Sequence, residues 1–340
     1  MKLINQISEN LLVKRQHPRK EDLRGYYFRD ITAIIHSYPF RRLKHKTQVF
    51  FSPKNDHICT RIEHVMHVAT ISVTICKALN LNTELAWAIS LGHDLGHSPF
   101  GHVGENILSE IVKKKGGIFE HELYSLRVVD FLINYGKGLN LTYAVRDGIA
   151  NHCGEVFEQA IKPDFSVKDL QNIKKNAHYP ATWEGAIVRM ADKVAYLGRD
   201  LDDAEQLRLI TKDSVPASAV QTLGRNNSQI IDTLVTDITT VAAGTGAIGF
   251  SDDIYHAVLA LKEFNYNYIY GSPILSDYHE NFGRILKTLY GYLNDMFEKY
   301  SFNVEAYKKE KNVLSVRFGD YLSKMRDFYD RIDQSYNNVV

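Results

Sequence analysis

The sequence predicts an all-α fold. Helical periodicity is strong in several stretches, glycine and proline punctuate them at Gly96, Pro99 and Gly116-Gly117, and few β-branched alternations stand between paired turn residues. Residues 1–28 are polar, with Pro18 as a breaker, and read as irregular. Ile31, Ile34, Ile35 and Leu43 suggest helix over 30–46, interrupted at Pro39. Phe50 to Lys54 reads as a turn. Over 62–79 the stripe Ile62, Val65, Met66, Ala69, Val73, Cys76 and Leu79 recurs at three- and four-residue steps. A helix over 83–94 follows, with Thr83 as its N-cap. Gly96 and Pro99 then force a turn into a helix over 101–115, which Gly116-Gly117 ends. Further helical patterns cover 122–134, 142–151 and 183–210. The stretch 211–250 is weakly patterned, with Gly244-Thr245-Gly246 read as a loop, and helices return over 252–264, 276–300 and 311–337. A soft division near 210 separates a core, 1–210, from a C-terminal helical region, 211–340.

Composition excludes several classes of protein. The 340 residues carry 41 Lys plus Arg against 40 Asp plus Glu, so no overall charge excess points to nucleic acid or to an acidic disordered tail. Three cysteines, Cys59, Cys76 and Cys153, make neither a disulfide framework nor a paired metal knot, which fits a reducing, cytoplasmic setting. The N-terminus lacks the apolar core and cleavage site of a signal peptide, and no apolar run approaches the roughly 20 residues that span a bilayer. Of 14 histidines, five fall from His64 to His102.

That histidine-rich stretch holds the chemistry. His93 and Asp94 are adjacent at a helix end, just before the Leu95-Gly96 turn, and both side chains bind divalent metals. An isolated His-Asp pair is more often a core histidine beside a polar terminus. His64 lies on an amphipathic helix upstream, with Arg61 three residues before it. On a further helix Ile187, Met190, Ala191, Val194 and Leu197 form the apolar stripe, while Asp192, Tyr196, Arg199 and Asp203 share another face and Asp200 lies beside it. His102 and Glu105, three apart at a helix start, are placed to hydrogen-bond. A carboxylate partner keeps an imidazole protonated, as a general acid requires. Read alone, Arg61 is a surface partner for Asp56 or Glu63, Tyr196 is core, Lys193 is solvated and His97 is a structural support for its loop. His152 has no assigned role, and His67, His17, His178, His256 and His279 read as surface. The aromatic run Phe264 to Tyr270 reads as a helix-packing face.

Six ordered blocks resemble one family. They are Phe40-Arg41-Arg42-Leu43-Lys44-His45-Lys46-Thr47-Gln48-Val49-Phe50; Arg61-Ile62-Glu63-His64; the run from His93 to Glu105; Phe119-Glu120-His121; the helix from Trp183 to Asp203; and Asp320-Tyr321-Leu322-Ser323-Lys324-Met325-Arg326-Asp327. Together they resemble the HD-superfamily deoxynucleoside triphosphate triphosphohydrolases, the dGTPase-like branch. Two positions depart from it: Ala33 stands where a second arginine is usual, and Arg326 where a threonine is.

The resemblance implies an HD-domain helical bundle with additional C-terminal helices that close a nucleotide pocket. It implies one divalent ion, Mn or Mg with Ni, Fe or Zn compatible, on His64, His93, Asp94 and Asp192. It implies cleavage of a dNTP to deoxynucleoside and inorganic triphosphate, with His102 as acid, Glu105 as its support and His121 as second candidate. Arg61 and Lys193 are expected on the phosphates, Tyr196 on a phosphate or against the sugar, and Gln48 and Asp200 near the sugar. Tyr321 and Asp327 are expected on the pocket wall. A homo-oligomer, commonly a hexamer, and a nucleotide effector are implied as well, with no membrane and no need for nucleic acid. Rival readings are an HD phosphohydrolase for guanosine tetraphosphate or a nucleoside monophosphate, and a non-catalytic nucleotide sensor. A cyclic-dinucleotide enzyme is disfavoured because no Gly-Tyr-Pro follows the His-Asp pair.

Overall fold

Thr60 and Glu63 start the central helix of the molecule. In the computed structural model, which describes residues 2–46, 49–50, 57–153, 157–173 and 178–331, the Glu63 carboxylate accepts from Thr60 N (2.7 Å) and Oγ1 (2.8 Å), a local closure that fixes the first turn. The helices in chain order are α1 (Glu9–Leu12), α2 (Gly25–Ile35), α3 (Tyr38–Arg42), α4 (Arg61–Ala78), α5 (Thr83–Gly92), α6 (Gly101–Lys114), α7 (His121–Arg127) and α8 (Tyr143–Ala150). They continue as α9 (Trp183–Ala195), α10 (Leu197–Gln206), α11 (Ala217–Leu223), α12 (Asn227–Thr245), α13 (Asp252–Asn265), α14 (Pro273–Tyr300), α15 (Val304–Lys309) and α16 (Val313–Arg331). A two-residue ribbon, β1 (Ala160–Ile161) with β2 (Ile248–Gly249), pairs antiparallel, Ala160 opposite Gly249. The fold is all-α, as the periodicity implied. No described helix is long and apolar enough to cross a membrane.

Several elements differ from the sequence reading. Residues 1–28 contain the short α1, whose Leu12 is buried in the core. Asn82, not Thr83, caps α5, its side chain accepting from Leu85 N at 3.0 Å. The helix expected over 183–210 is two, parted at Tyr196. The weakly patterned stretch holds the 19-residue α12, which buries only Ile230, Leu234, Ile238 and Ala242. That single row four residues apart is a narrower stripe than a pattern search rewards, and Gly246, at φ +65°, closes the helix.

Helix α4 packs against α5, α9 and α12, while α5 also contacts α2, α8 and α9. The principal core runs from Leu3 to Leu261. A separate aromatic cluster of Tyr307, Phe318, Leu322, Met325, Phe328 and Tyr329 joins α15 to α16. Helix α14 lies on α6, with Phe100 stacked on Phe282 at 4.0 Å and 9°.

One glycine couples the His93–Asp94 corner to α7. A Cβ on Gly96 would stand 2.2 Å from Ser125 N, and Gly96 N donates to Ser125 Oγ at 2.9 Å. The contact is with backbone, so the neighbour cannot rotate away. Gly96→Ala is expected to destabilise the protein by about 1–3 kcal/mol, the range for overpacking, read as a lower melting temperature. An unchanged melt would show that α7 is free to shift.

Candidate metal centre and active site

Three separated helices deliver the donor cluster. His64 lies in the first turn of α4, His93 is the C-cap residue of α5, and Asp192 lies in α9. Their donor atoms all fall within 4.8 Å of one another. His64 Nε2 is 2.9 Å and His93 Nε2 3.5 Å from Asp192 Oδ1. His93 Nδ1 donates to Ser90 O at 2.7 Å, and its buried Nε2 has no hydrogen-bond partner among the described residues. A tautomer fixed this way, with a lone pair aimed at a carboxylate, is how proteins present a metal-ligating imidazole. The burial of Asp192 opposes its charge, but the hydrogen bond from His64 and the neighbouring His64 and His93 imidazoles outweigh that and hold its carboxyl well below the usual range.

Asp94 is buried at the same cavity, but its Oδ2 accepts from Arg61 Nη1 at 2.6 Å. Burial disfavours the Asp94 carboxylate, yet Arg61, His97 and His93 hold its carboxyl far below the ordinary value. Arg61 is therefore no surface partner of Glu63. Both members of the pair are buried, where removing one leaves an uncompensated charge. Lys46 Nζ donates to His97 O at 2.5 Å and ties the loop after Asp94 to the chain before α4.

A second group of titratable side chains stands beside the first. Glu105 Oε1 accepts from His121 N (2.8 Å) and lies 2.9 Å from His121 Nδ1, while Glu105 Oε2 is 3.3 Å from His102 Nδ1. Glu122 Oε2 is also 3.3 Å from His121 Nδ1. Burial works against a charge on His121, but hydrogen bonds to Cys153 and Glu105 and the charges of Glu122 and Glu105 keep it protonated well above the usual histidine value. The His102 side chain is 78% exposed, so solvent reaches it freely. The His97 ring lies 5.3 Å from that of His102 and 5.0 Å from that of His121.

Both groups open onto one cavity of about 480 Å³. Arg61, Lys193, Tyr196 and Asp200 line it as well. Lys193 is paired with Glu158 and sits 5.3 Å from the centre of the Phe157 ring, so it is not simply solvated. Asp200 Oδ2 accepts from Tyr270 OH at 2.6 Å, and burial pushes its carboxyl up to about 7. The expected polar face is divided: Arg199 and Asp203 turn away and hold residues 57–59, through Arg199 Nη2 to His57 O (3.2 Å) and Cys59 N to Asp203 Oδ2 (2.9 Å).

Gln48 lies outside the described residues. Tyr321 is not on the cavity wall. It sits at the α16 aromatic cluster, 3.2 Å from Tyr329 OH, because the buried stripe of α16 turns that way, and Asp327 is exposed on the same helix. The sequence reading missed Lys262, Tyr266, Tyr270 and His279, which line the cavity from α13 through α14. The run from Phe264 to Tyr270 is thus more than a packing face, although the sequence held no signal for which ring turns inward. Cys153 and His152 are on the wall too.

A raised carboxyl has a sign that can be checked. Asp200 keeps its proton in the folded chain up to about pH 7, whereas the unfolded chain loses it near pH 4. Its contribution to stability is full below the unfolded value and is lost as pH rises to about 7. Asp200→Asn is expected to melt higher than the parent at pH 8, with a gain of at most about 4 kcal/mol, and the gain should shrink toward pH 5. A melting difference independent of pH would refute this protonation state.

The helical fold and the cavity define a class. Residues 61–197 match the family model described as the HD domain. Over longer stretches the chain is similar to proteins named deoxyguanosinetriphosphate triphosphohydrolase-like. The one from Desulfatibacillum aliphaticivorans is 41% identical over 292 residues, 84% of this chain and 76% of that protein. The one from Caldanaerobacter subterraneus subsp. tengcongensis is 38% identical over 321 residues, 93% and 86% of the two chains. The one from Clostridium tetani is 37% identical over 327 residues, 94% and 87%. The chain belongs to this deoxyguanosinetriphosphate triphosphohydrolase-like family of HD-domain proteins.

Proposed function

We propose that the protein hydrolyses deoxynucleoside triphosphates at the α-phosphorus, releasing deoxynucleoside and inorganic triphosphate, with one Mn or Mg ion held by His64, His93, Asp94 and Asp192. The observation that carries this reading is one cavity that joins an imidazole–carboxylate donor cluster, with a free His93 lone pair, to a histidine–glutamate group. The donor set suits a divalent ion, because two imidazoles and two carboxylates balance its charge and leave positions for oxygen ligands. When bound, the ion supplies Lewis-acid polarisation of a phosphoryl oxygen and lowers the pKa of water.

The chain's own side chains do the rest. His102, supported by Glu105, protonates the 5′-oxygen as it leaves, and its exposure lets solvent restore the proton. Cationic His121 sits on the phosphate chain, with Arg61 and Lys193. Tyr196 and the Asp200–Tyr270 pair border the sugar, and Gln48 is assigned there from the resemblance alone. Dividing the chain into a metal-binding core, 1–210, and a closing region, 211–340, is supported by Lys262, Tyr266, Tyr270 and His279 on the wall. A homo-oligomer of hexameric type and a nucleotide effector rest on the resemblance.

The test is purified protein incubated with each of the four dNTPs and Mn²⁺ or Mg²⁺, with products resolved. Deoxynucleoside and triphosphate are expected, with activity lost on chelation and restored by the ion. Release of pyrophosphate or orthophosphate, or no turnover of any dNTP, would sink the reading.

A further inference from the structure

The triphosphate chain of a nucleotide brings hydrogen-bond acceptors into a cavity, so the side chains suited to it are donors. His152, on the wall, is a buried group of the opposite kind that has no part in the chemistry above. His152 follows α8 and is fully buried. Its Nδ1 lies 2.7 Å from Ile149 O. A carbonyl only accepts, so Nδ1 carries the proton and Nε2 is a lone pair. That Nε2 is buried and has no hydrogen-bond partner among the described residues. The ring stands 4.8 Å from the His93 ring and 5.3 Å from the His121 ring, between the donor cluster and the histidine–glutamate group.

His93 is built in the same way. Each imidazole sits at the C-terminal end of a helix, donates Nδ1–H to the carbonyl three residues back, and turns inward an Nε2 that is unpartnered among the described residues. The His93 lone pair is accounted for by an ion. The His152 lone pair still needs a donor, since a buried acceptor left alone costs about 1–3 kcal/mol. A nucleotide's own donors are on its sugar and base, away from the α-phosphorus. Beside the cluster, the donor at hand is water.

We propose that His152 Nε2 accepts a hydrogen bond from the water that attacks the α-phosphorus, and so aims its oxygen at phosphorus. This rests on the dNTP reading of the site. In the step, the water oxygen forms the new bond to phosphorus and the bond from phosphorus to the 5′-oxygen breaks. The leaving oxygen takes the proton of the acid, and the attacking water releases one proton to solvent. His152 itself stays neutral, and its role is orientation.

The experiment compares wild type, His152→Ala and His152→Gln with dGTP and Mn²⁺. Alongside turnover, Mn²⁺ bound per chain without nucleotide and the affinity for inorganic tripolyphosphate are measured. For His152→Ala, kcat is expected to fall about 100-fold, the scale of a misaimed reactant. KM, tripolyphosphate affinity and Mn²⁺ content should stay within about threefold of wild type, the spread expected when only orientation is lost. His152→Gln, whose Oε1 reaches toward the place of Nε2, should recover about tenfold of the loss, and it carries the test if the Ala protein does not fold. Unchanged kcat in both variants would overturn the proposal. So would a loss of Mn²⁺ in step with activity, which would make His152 a ligand of an ion. Wild type that releases no triphosphate would instead sink the dNTP reading, and this inference with it.

Discussion

Asp192→Asn is expected to lower kcat/KM for dNTP hydrolysis by about 10³-fold or more and to weaken Mn²⁺ binding at least as strongly. Asp192 is the point where the donors meet, its Oδ1 lying 2.9 Å from His64 Nε2 and 3.5 Å from His93 Nε2. Asparagine keeps the shape and one oxygen but removes the charge that offsets a divalent ion. Polarisation by such an ion contributes several kcal/mol to a phosphoryl transition state, and each 1.4 kcal/mol is about tenfold in rate. Activity assays and calorimetric titration of Mn²⁺ read the two losses together. A variant that bound no Mn²⁺ yet kept its rate would remove the ion from the chemistry, and one that bound Mn²⁺ normally would remove Asp192 from the ligand set.

Glu105→Gln is expected to cost about 10²- to 10⁴-fold in kcat, the range for losing general acid catalysis, while tripolyphosphate still binds. One carboxylate serves two histidines, at 2.9 Å from His121 and 3.3 Å from His102. Burial lowers the proton affinity of His121, and Cys153, Glu105 and Glu122 restore it. Removing Glu105 therefore moves the His121 value down. The basic limb of the pH–rate profile should shift to lower pH, so the deficit is larger at pH 8 than at pH 6. Equal losses at both pH values would assign Glu105 a purely structural part.

The two effects differ in how far the sequence announced them. His93-Asp94 and the glycine turn behind it are contiguous, so a local reading finds them. Glu105 near His102 is a three-residue helical spacing and was equally legible. That Glu105 also serves His121 was not, because the partners are 16 residues apart and are joined by α6 and α7. The α4 stripe shows a related limit. Val65, Ala69 and Cys76 are buried as the pattern implied, but Met66 is 42% exposed while Arg61 and His64 are inside. Hydrophobic periodicity assumes that polar residues face water, and a helix that turns polar side chains into an interior cavity breaks that assumption.

The sequence by itself determined the helical class, the order of the blocks and the residue types able to bind an ion. These depend on spacing within a few turns, where chain geometry is fixed by local hydrogen bonds. Only the tertiary structure decided that Asp94 is held by Arg61, that Tyr321 belongs to another cluster, and that α13 and α14 wall the cavity. Those outcomes depend on which buried faces meet across long stretches of chain, and packing selects among faces that periodicity leaves equivalent.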